Sequence, residues 1–194
     1  MSDDFVEVIT PDVLARRVAE LGAEIMRDHP NGDLVVVGIL KGSVIFMKDL
    51  LAHLPLDSTP QFLALTRFGR EGRVSVTLDI DEPLDGKDVL LVLEIVDTGL
   101  TLGTIHKMLD AKGAKSVSTV ALLDKAPRRI VDVPVEYRGF EVGDEYLLGY
   151  GLDWQGLFRN LRSVWAVMNM PRFLAEPEAF VDAAYSTGNA LLAE

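Results

Sequence analysis

The stretch from residue 89 to residue 123 constrains the fold more than any other part of the sequence. An apolar run of strand length, residues 89–96, leads directly into Asp97-Thr98-Gly99. Helical spacing follows over about residues 101–111, and a second apolar run covers residues 117–123. A strand, a tight turn, a helix and a strand in this order form a βαβ unit, whose two strands are parallel. We therefore predict an α/β fold with a mainly parallel sheet flanked by helices.

Apolar periodicity and turn signals predict the remaining elements. Thr10-Pro11 caps an amphipathic helix, residues 34–40 form a strand buried on both faces, and residues 44–54 form a second helix. Residues 61–66 and 74–78 predict two arms of a hairpin around a polar loop, with alternate side chains of the second arm half-buried. The tail, residues 171–194, predicts a helix that packs on the domain or on another subunit. Its apolar side carries Phe180, Ala183, Ala184 and Leu191.

Composition excludes several classes of protein. A chain of 194 residues with 48% hydrophobic residues is long enough for one domain with a full core. The formal charge of −11 argues against nucleic acid as a partner, since phosphate neutralisation needs a basic surface. The absence of cysteine excludes disulfides, thiolate zinc sites and cysteine nucleophiles. With no signal-peptide pattern and no apolar run near the length of a membrane span, we expect a cytoplasmic protein without a membrane partner.

The end of the strand at residues 89–96 combines two carboxylates with a turn suited to an anion. Glu94 and Asp97 come to the carboxyl end of the strand, where open α/β sheets bind ligands. Thr98, Gly99 and Thr101 follow where a helix begins, and backbone N–H groups there can hold a phosphate without any basic residue. The alternative is an ordinary turn with Asp97 as the helix N-cap. Glu94 favours the ligand site, because a carboxylate inside an apolar run is costly unless it binds Mg²⁺ or sugar hydroxyls.

Residues 93–102, LEIVDTGLTL, resemble the 5-phosphoribosyl 1-pyrophosphate motif of type I phosphoribosyltransferases. Four further segments resemble the bacterial hypoxanthine-guanine branch of that family in order and spacing over about residues 6–168: GILKGSVIFMKDLL at 38–51, LLDKAPRR at 122–129, GFEVGDEYLLGYGLDW at 139–154 and FRNL at 158–161. The resemblance implies a type I phosphoribosyltransferase domain over residues 1–170. Its small hood would comprise the N-terminal segment and residues 139–168, and residues 171–194 would be an added tail.

The resemblance also implies a reaction and its site residues. A phosphoribosyl group would pass from phosphoribosyl pyrophosphate to hypoxanthine or guanine with Mg²⁺, giving IMP or GMP and pyrophosphate in a homodimer or homotetramer. Asp97 would exchange the proton of the purine N7, and Glu94 would bind ribose and Mg²⁺. The family's other matching positions are, for the 5′-phosphate, Asp97, Thr98, Gly99, Leu100 and Thr101; for pyrophosphate, Lys41, Gly42 and Arg159; for the base, Lys125, Tyr146 and Leu147; and for the base site and a second Mg²⁺, Asp153.

Some of these residues have simpler interpretations, and two positions depart from the family's pattern. Lys125 could be an exposed turn residue, Tyr146 a core aromatic and Arg159 a surface charge. Leu93 stands where the family has the first of two adjacent carboxylates. Arg67-Phe68 replaces a Ser-Tyr pair in a shorter hood loop. Arg67, Arg70 and Arg73 could offer cations to pyrophosphate there, or the loop could be a solvated hairpin tip. A second hypothesis is therefore a non-catalytic protein that binds a nucleotide as a sensor or subunit.

Overall fold

The computed structural model describes residues 4–32, 34–55, 57–68 and 73–185. The chain divides into two compact units: residues 17–143, and a second unit built from both ends of the chain, residues 1–16 and 144–194. The elements in chain order are β1 (Phe5–Ile9), α1 (Pro11–Asp28), β2 (Leu34–Leu40), α2 (Val44–Leu51), β3 (Thr59–Phe68), β4 (Arg73–Leu78), β5 (Asp88–Val96), α3 (Leu100–Ala111), β6 (Ser116–Asp124), β7 (Tyr137–Glu141), β8 (Tyr146–Leu148), β9 (Val164–Val167), α4 (Met170–Ala175) and α5 (Glu178–Ala184).

The larger unit is organised around a six-stranded sheet with the strand order β4-β3-β2-β5-β6-β7. Every pairing in this sheet is parallel except that of β3 with β4, which forms the predicted hairpin at one edge. Strand β5 lies in the interior of the sheet, and the burial of its consecutive residues shows that both of its faces are covered, as its continuous apolar run predicts. The predicted α/β class and its mainly parallel sheet are confirmed.

A buried carboxylate stands at the carboxyl end of β6. The side chain of Asp124 is fully buried, and two arginine side chains reach it. Arg129 donates a hydrogen bond to its Oδ1, and Arg138 Nε lies 2.6 Å from its Oδ2 as an ion pair rather than an aligned hydrogen bond. Arg129 is itself largely buried, whereas Arg138 is about half exposed. Because an uncompensated buried charge is costly, each member of this cluster depends on the others.

The smaller unit contains an antiparallel sheet of three strands in the order β1-β9-β8. Its core is largely aromatic and includes Phe5, Phe158, Trp165, Phe173 and Phe180. The last two of these residues come from the tail and are fully buried. Helix α4 is also anchored at its start, where Asn169 Oδ1 accepts a hydrogen bond from Arg172 N and Asn169 Nδ2 donates to Asp4 Oδ1. The tail, as far as residue 185, is therefore part of this unit's core.

Three element predictions differ from the structure. The tail forms two short helices rather than one, because the chain leaves helical geometry at Glu176 and Pro177 has no N–H with which to continue α4. Helix α2 ends at Leu51 rather than at the predicted residue 54. Val76 and Leu78 on the hairpin arm are exposed rather than half-buried, since β4 is the edge strand of its sheet. The hairpin loop and Leu191 lie outside the described residues.

Among the described residues, none of the helices is both long enough and apolar enough to cross a membrane.

The Asp124 cluster gives a stability prediction. We expect Asp124→Asn to lower the free energy of unfolding by about 3 kcal/mol, because the buried guanidinium of Arg129 loses its counter-charge. Asp79→Asn is the matched control, since Asp79 also pairs with a cation, Lys112 at 2.8 Å, but is half exposed. The control should lose about 0.5 kcal/mol. Urea denaturation measures both values, and equal losses would contradict the assigned role of Asp124.

Candidate active site

The predicted ligand edge of the sheet contains a cavity of about 250 Å³. Residues 93–99, 101 and 102, from the end of β5 and the start of α3, line this cavity together with Ile39 from β2. The structure therefore brings together Glu94, Asp97, Thr98, Gly99 and Thr101, as the sequence predicts. Leu100 does not line the cavity, and its side chain is half exposed.

The turn at residues 97–101 is held by the segment that follows β6. Gly99 has a φ of +83° and is the N-cap of α3, so Asp97 is not the cap. A Cβ at Gly99 would lie 2.6 Å from the carbonyl oxygen of Val131. The carbonyl oxygen of Thr98 accepts hydrogen bonds from Ile130 N at 2.9 Å and Val131 N at 3.1 Å. We call this contact of residues 128–131 with residues 97–99 the loop clasp.

Two arginines of the loop clasp bring positive charge to the turn. Arg128 Nε donates to Asp97 Oδ1 at 2.6 Å, and both side chains are about half exposed. The side chain of Arg129 passes beneath the turn, with its Cδ 3.0 Å from the position of a Cβ at Gly99. Arg129 also makes the ion pair with Asp124. The turn therefore has cations beside it and beneath it, although the whole chain is acidic.

Lys125 and Gly42 occupy closely packed positions in the same unit. The side chain of Lys125 is buried, with a residue exposure of 8%, so it is not an exposed turn residue. Its backbone N–H donates to Val96 O at 2.9 Å, next to Asp97. A Cβ at Gly42 would lie 1.9 Å from Glu94 Oε1, so only glycine leaves room for the Glu94 carboxylate as it stands. Lys41 is exposed, and the peptide bond between Leu40 and Lys41 is cis.

The smaller unit brings together Tyr146, Asp153 and Arg159. The Tyr146 hydroxyl donates to the carbonyl oxygen of Asp153 at 2.8 Å, and burial, followed by the charge of Asp153, raises the pKa of Tyr146. Arg159 makes an ion pair with Asp153 Oδ1 at 2.5 Å, and Gly156 N donates to Oδ2 at 2.6 Å. Arg159 is thus not an isolated surface charge. Leu147 is buried in β8, an edge strand that pairs on one side with β9.

The carboxylate of Glu94 fits a Mg²⁺ ion that is also bound by a substrate. No group of three or more His, Cys, Asp or Glu side chains that could hold a metal occurs among the described residues. Mg²⁺ nevertheless uses only one or two carboxylates when phosphate oxygens and water complete its shell. Glu94 lines the cavity and suits that role. Both carboxylate oxygens of Asp153 already accept from donors, so Asp153 fits a metal less well.

Sequence reasoning did not find Asp124, Arg128 or Arg129 as residues that support the site. Asp124 could have been found by the argument used for Glu94, because it ends an apolar strand. Nothing in the sequence assigns Arg128 to Asp97 and the neighbouring Arg129 to Asp124. Their partners depend on the path that the chain takes after β6.

The phosphoribosyl transferase domain family matches residues 10–155 of the chain. The match covers most of the chain and includes the βαβ unit and the turn at residues 97–101. The chain therefore belongs to the phosphoribosyltransferase family.

The similar proteins narrow this class to one branch. The chain is 38% identical over 170 residues to the hypoxanthine phosphoribosyltransferase of Salmonella typhimurium, covering 84% of this chain and 96% of that protein. A crystal structure of a hypoxanthine-guanine phosphoribosyltransferase from Bacillus anthracis matches with a TM-score of 0.81 and 36% identity, covering 84% of this chain and 98% of that one. The hypoxanthine phosphoribosyl transferase of Trypanosoma cruzi matches with a TM-score of 0.82 and 29% identity, covering 92% and 99%.

The close approach at Gly99 gives a second stability prediction. Gly99→Ala should lower the free energy of unfolding by about 3 kcal/mol, because the new methyl group meets the Val131 carbonyl as well as adopting a left-handed conformation. Gly86→Ala is the control, because Gly86 has a φ of +73° but no atom within 4 Å of its Cβ position. It should lose only about 1 kcal/mol. Chemical denaturation compares the two, and a similar loss in both would show that the loop clasp leaves room at Gly99.

Proposed function

We propose that the protein is an enzyme of purine salvage that transfers the phosphoribosyl group of phosphoribosyl pyrophosphate to hypoxanthine or guanine. The products are IMP or GMP and pyrophosphate. The observation that carries the proposal is the cavity at the carboxyl end of β5, which Glu94, Asp97 and the turn at residues 97–101 line together. The names of the relatives support the same reaction.

The turn binds the 5′-phosphate of the ribosyl substrate. Backbone N–H groups from Thr98 to Thr101 at the start of α3 supply the donors, and the helix dipole favours the negative charge there. The left-handed conformation of Gly99 orients this backbone. A phosphate is thus held by local donors, which is what an acidic protein needs to bind an anionic substrate.

Asp97 moves the proton at the purine ring. As the ring nitrogen attacks C1 of the ribose, the purine loses a proton, and a carboxylate within reach accepts it as a general base. Arg128 engages Oδ1 of Asp97, which leaves Oδ2 to take the proton. The ion pair also restricts the rotation of the carboxylate, so Arg128 acts as a positioning residue.

Lys125 and Tyr146 recognise the base. A lysine has only donors, so it favours a 6-oxo group and disfavours the 6-amino group of adenine. Lys125 is buried, so the 6-amino group of adenine would bring a second donor against the ammonium group with little water to separate the two. Tyr146 stacks on the purine ring, and Leu147 offers backbone groups from the edge strand β8.

Glu94 binds ribose hydroxyls and Mg²⁺, while Lys41, Gly42 and Arg159 bind the pyrophosphate. When bound, Mg²⁺ neutralises the negative charge of the leaving pyrophosphate. Gly42 supports Glu94, because its lack of a side chain leaves room for the carboxylate. Asp153 contributes by holding Arg159 through their ion pair, and is available to a second Mg²⁺ only if that pair opens.

The assembly and the location of the enzyme are also proposals. A homodimer or homotetramer is the expected assembly, and the solved Trypanosoma cruzi relative comes from work on its oligomeric state and C-terminal region. We also propose that the enzyme is cytoplasmic. Light scattering measures the mass of the assembly directly.

An assay with phosphoribosyl pyrophosphate, Mg²⁺ and each of hypoxanthine, guanine, xanthine and adenine tests the reaction. We expect nucleotide from hypoxanthine or guanine, and a loss of turnover of about 100- to 10,000-fold in Asp97→Asn, since an amide cannot accept the proton. The control Asp110→Asn, on the exposed side of α3, should retain full turnover. Measurable nucleotide binding without product from any base would contradict the proposed enzyme activity. It would favour the second hypothesis, a non-catalytic protein that binds a nucleotide.

Leu93 provides a test of the missing carboxylate. Leu93 is buried in the core of its unit and also lines the cavity, so a longer polar side chain has a route to the ligand. Leu93→Glu should raise the affinity for the ribosyl substrate about 10-fold by restoring one charge-assisted hydrogen bond. Leu93→Gln is the control, since it shares the cost of burying a polar group but not the charge. Equal Michaelis constants for the ribosyl substrate in the two variants would contradict the proposal that a carboxylate at position 93 binds this substrate.

A further inference from the structure

An aromatic ladder connects the tail to the residue proposed to stack on the base. The Tyr146 and Trp154 rings meet edge to face with their centroids 5.8 Å apart and an interplanar angle of 82°. The Trp154 and Phe173 rings meet in the same way at 5.4 Å and 68°. Phe173 lies in α4, beyond residue 155, where the match to the family ends. The ladder therefore joins Tyr146, which lies inside the matched range, to Phe173 in the tail.

Trp154 controls more than the ring of Tyr146. It directly follows Asp153, whose carbonyl oxygen accepts the hydrogen bond from the Tyr146 hydroxyl. The backbone of Trp154 is itself closed into a tight turn by hydrogen bonds with Leu157 in both directions, at 3.2 and 2.9 Å. A displacement of Trp154 would thus move both its own ring and the neighbouring Asp153 carbonyl, the two groups that orient Tyr146.

Phe173 is placed to prevent that displacement. Its side chain is fully buried, and its ring also meets those of Phe5, Phe158 and Phe180. Its helix is anchored to the start of the chain by the hydrogen bond of Met168 N to Asp4 O at 2.8 Å and by the ion pair of Arg172 with Asp4. A ring held on several sides in this way is a rigid support for Trp154.

We infer that Phe173 is a positioning residue for purine binding: through Trp154 it holds Tyr146 in the orientation that stacks on the base, so the tail sets the affinity for the base. The inference rests on the proposed role of Tyr146. It makes the tail part of base recognition, in addition to its place in the core.

Phe173→Leu tests the inference, with Phe180→Leu as the matched control. Both phenylalanines are fully buried in the same core, but of the two only Phe173 contacts Trp154. We expect Phe173→Leu to raise the Michaelis constant for hypoxanthine and guanine roughly 3- to 10-fold, the value of one aromatic pair. The Michaelis constant for phosphoribosyl pyrophosphate should stay within about twofold in both variants, and that for the base within about twofold in Phe180→Leu.

A double-mutant cycle separates positioning from a general loss of structure. In a Tyr146→Leu background, Phe173→Leu should have no further effect on the Michaelis constant for the base, because the residue through which it acts is gone. If Phe173→Leu does not fold, Phe173→Met keeps an apolar side chain of similar length and should shift the same constant in the same direction. Unfolding curves and light scattering establish that each variant is folded and has the mass of the wild type.

The inference is overturned if the two leucine variants raise the Michaelis constant for the base equally, if neither raises it, or if the effects of Phe173→Leu and Tyr146→Leu multiply independently. Failure of the proposed function has a different signature. In that case the wild type itself would form no nucleotide from any base, whatever the tail variants do.

Discussion

The loop clasp is the constraint on which the rest of the site depends. Thr98 O accepts two hydrogen bonds from the segment after β6, and Gly99 passes so close to Val131 that no side chain fits there. These contacts fix the conformation of the turn between β5 and α3, and the residues of that turn other than Leu100 line the cavity. Lys125 N bonds to Val96 O just ahead of the turn, so the two strand ends are also tied directly. Parallel neighbours in one sheet make this possible, because their carboxyl ends lie at the same edge.

The same contacts explain how a chain with a net charge of −11 can hold a phosphate group. The cluster of Asp124, Arg129 and Arg138 combines one negative and two positive groups, and therefore carries a net positive charge. Arg129 reaches from this cluster beneath Gly99, and Arg128 lies beside Asp97. Because these charges are partly shielded from water, they act on the turn more strongly than surface charges would. Salt screens the acidic groups of the surface that lie more than about 10 Å from the turn.

The accuracy of the sequence predictions followed the strength of the local signal. Strand β2 and the interior strand β5 are nearly continuous apolar runs, which only burial on both faces explains, and their predicted bounds agree with the structure to within a residue. The tail was predicted as one helix because the apolar spacing continues across Pro177, although that residue cannot extend α4. Val76 and Leu78 alternate like half-buried residues, but both are exposed on the edge strand that carries them. Periodicity reports which side chains could be buried, whereas burial itself depends on what packs against them.

By itself, the sequence determined the βαβ unit, the turn at its centre and the pair of carboxylates at the strand end, because spacing and residue type within some thirty-five positions are enough to specify them. The five motifs in register determined the resemblance to the family, and the comparisons confirmed it. Only the tertiary structure decided which arginine forms an ion pair with which carboxylate, that Lys125 is buried, and that Phe173 contacts Trp154. These contacts join residues that are distant in the chain, or choose between neighbours such as Arg128 and Arg129. Local sequence carries no information about either choice, because both depend on where the folded backbone places each side chain.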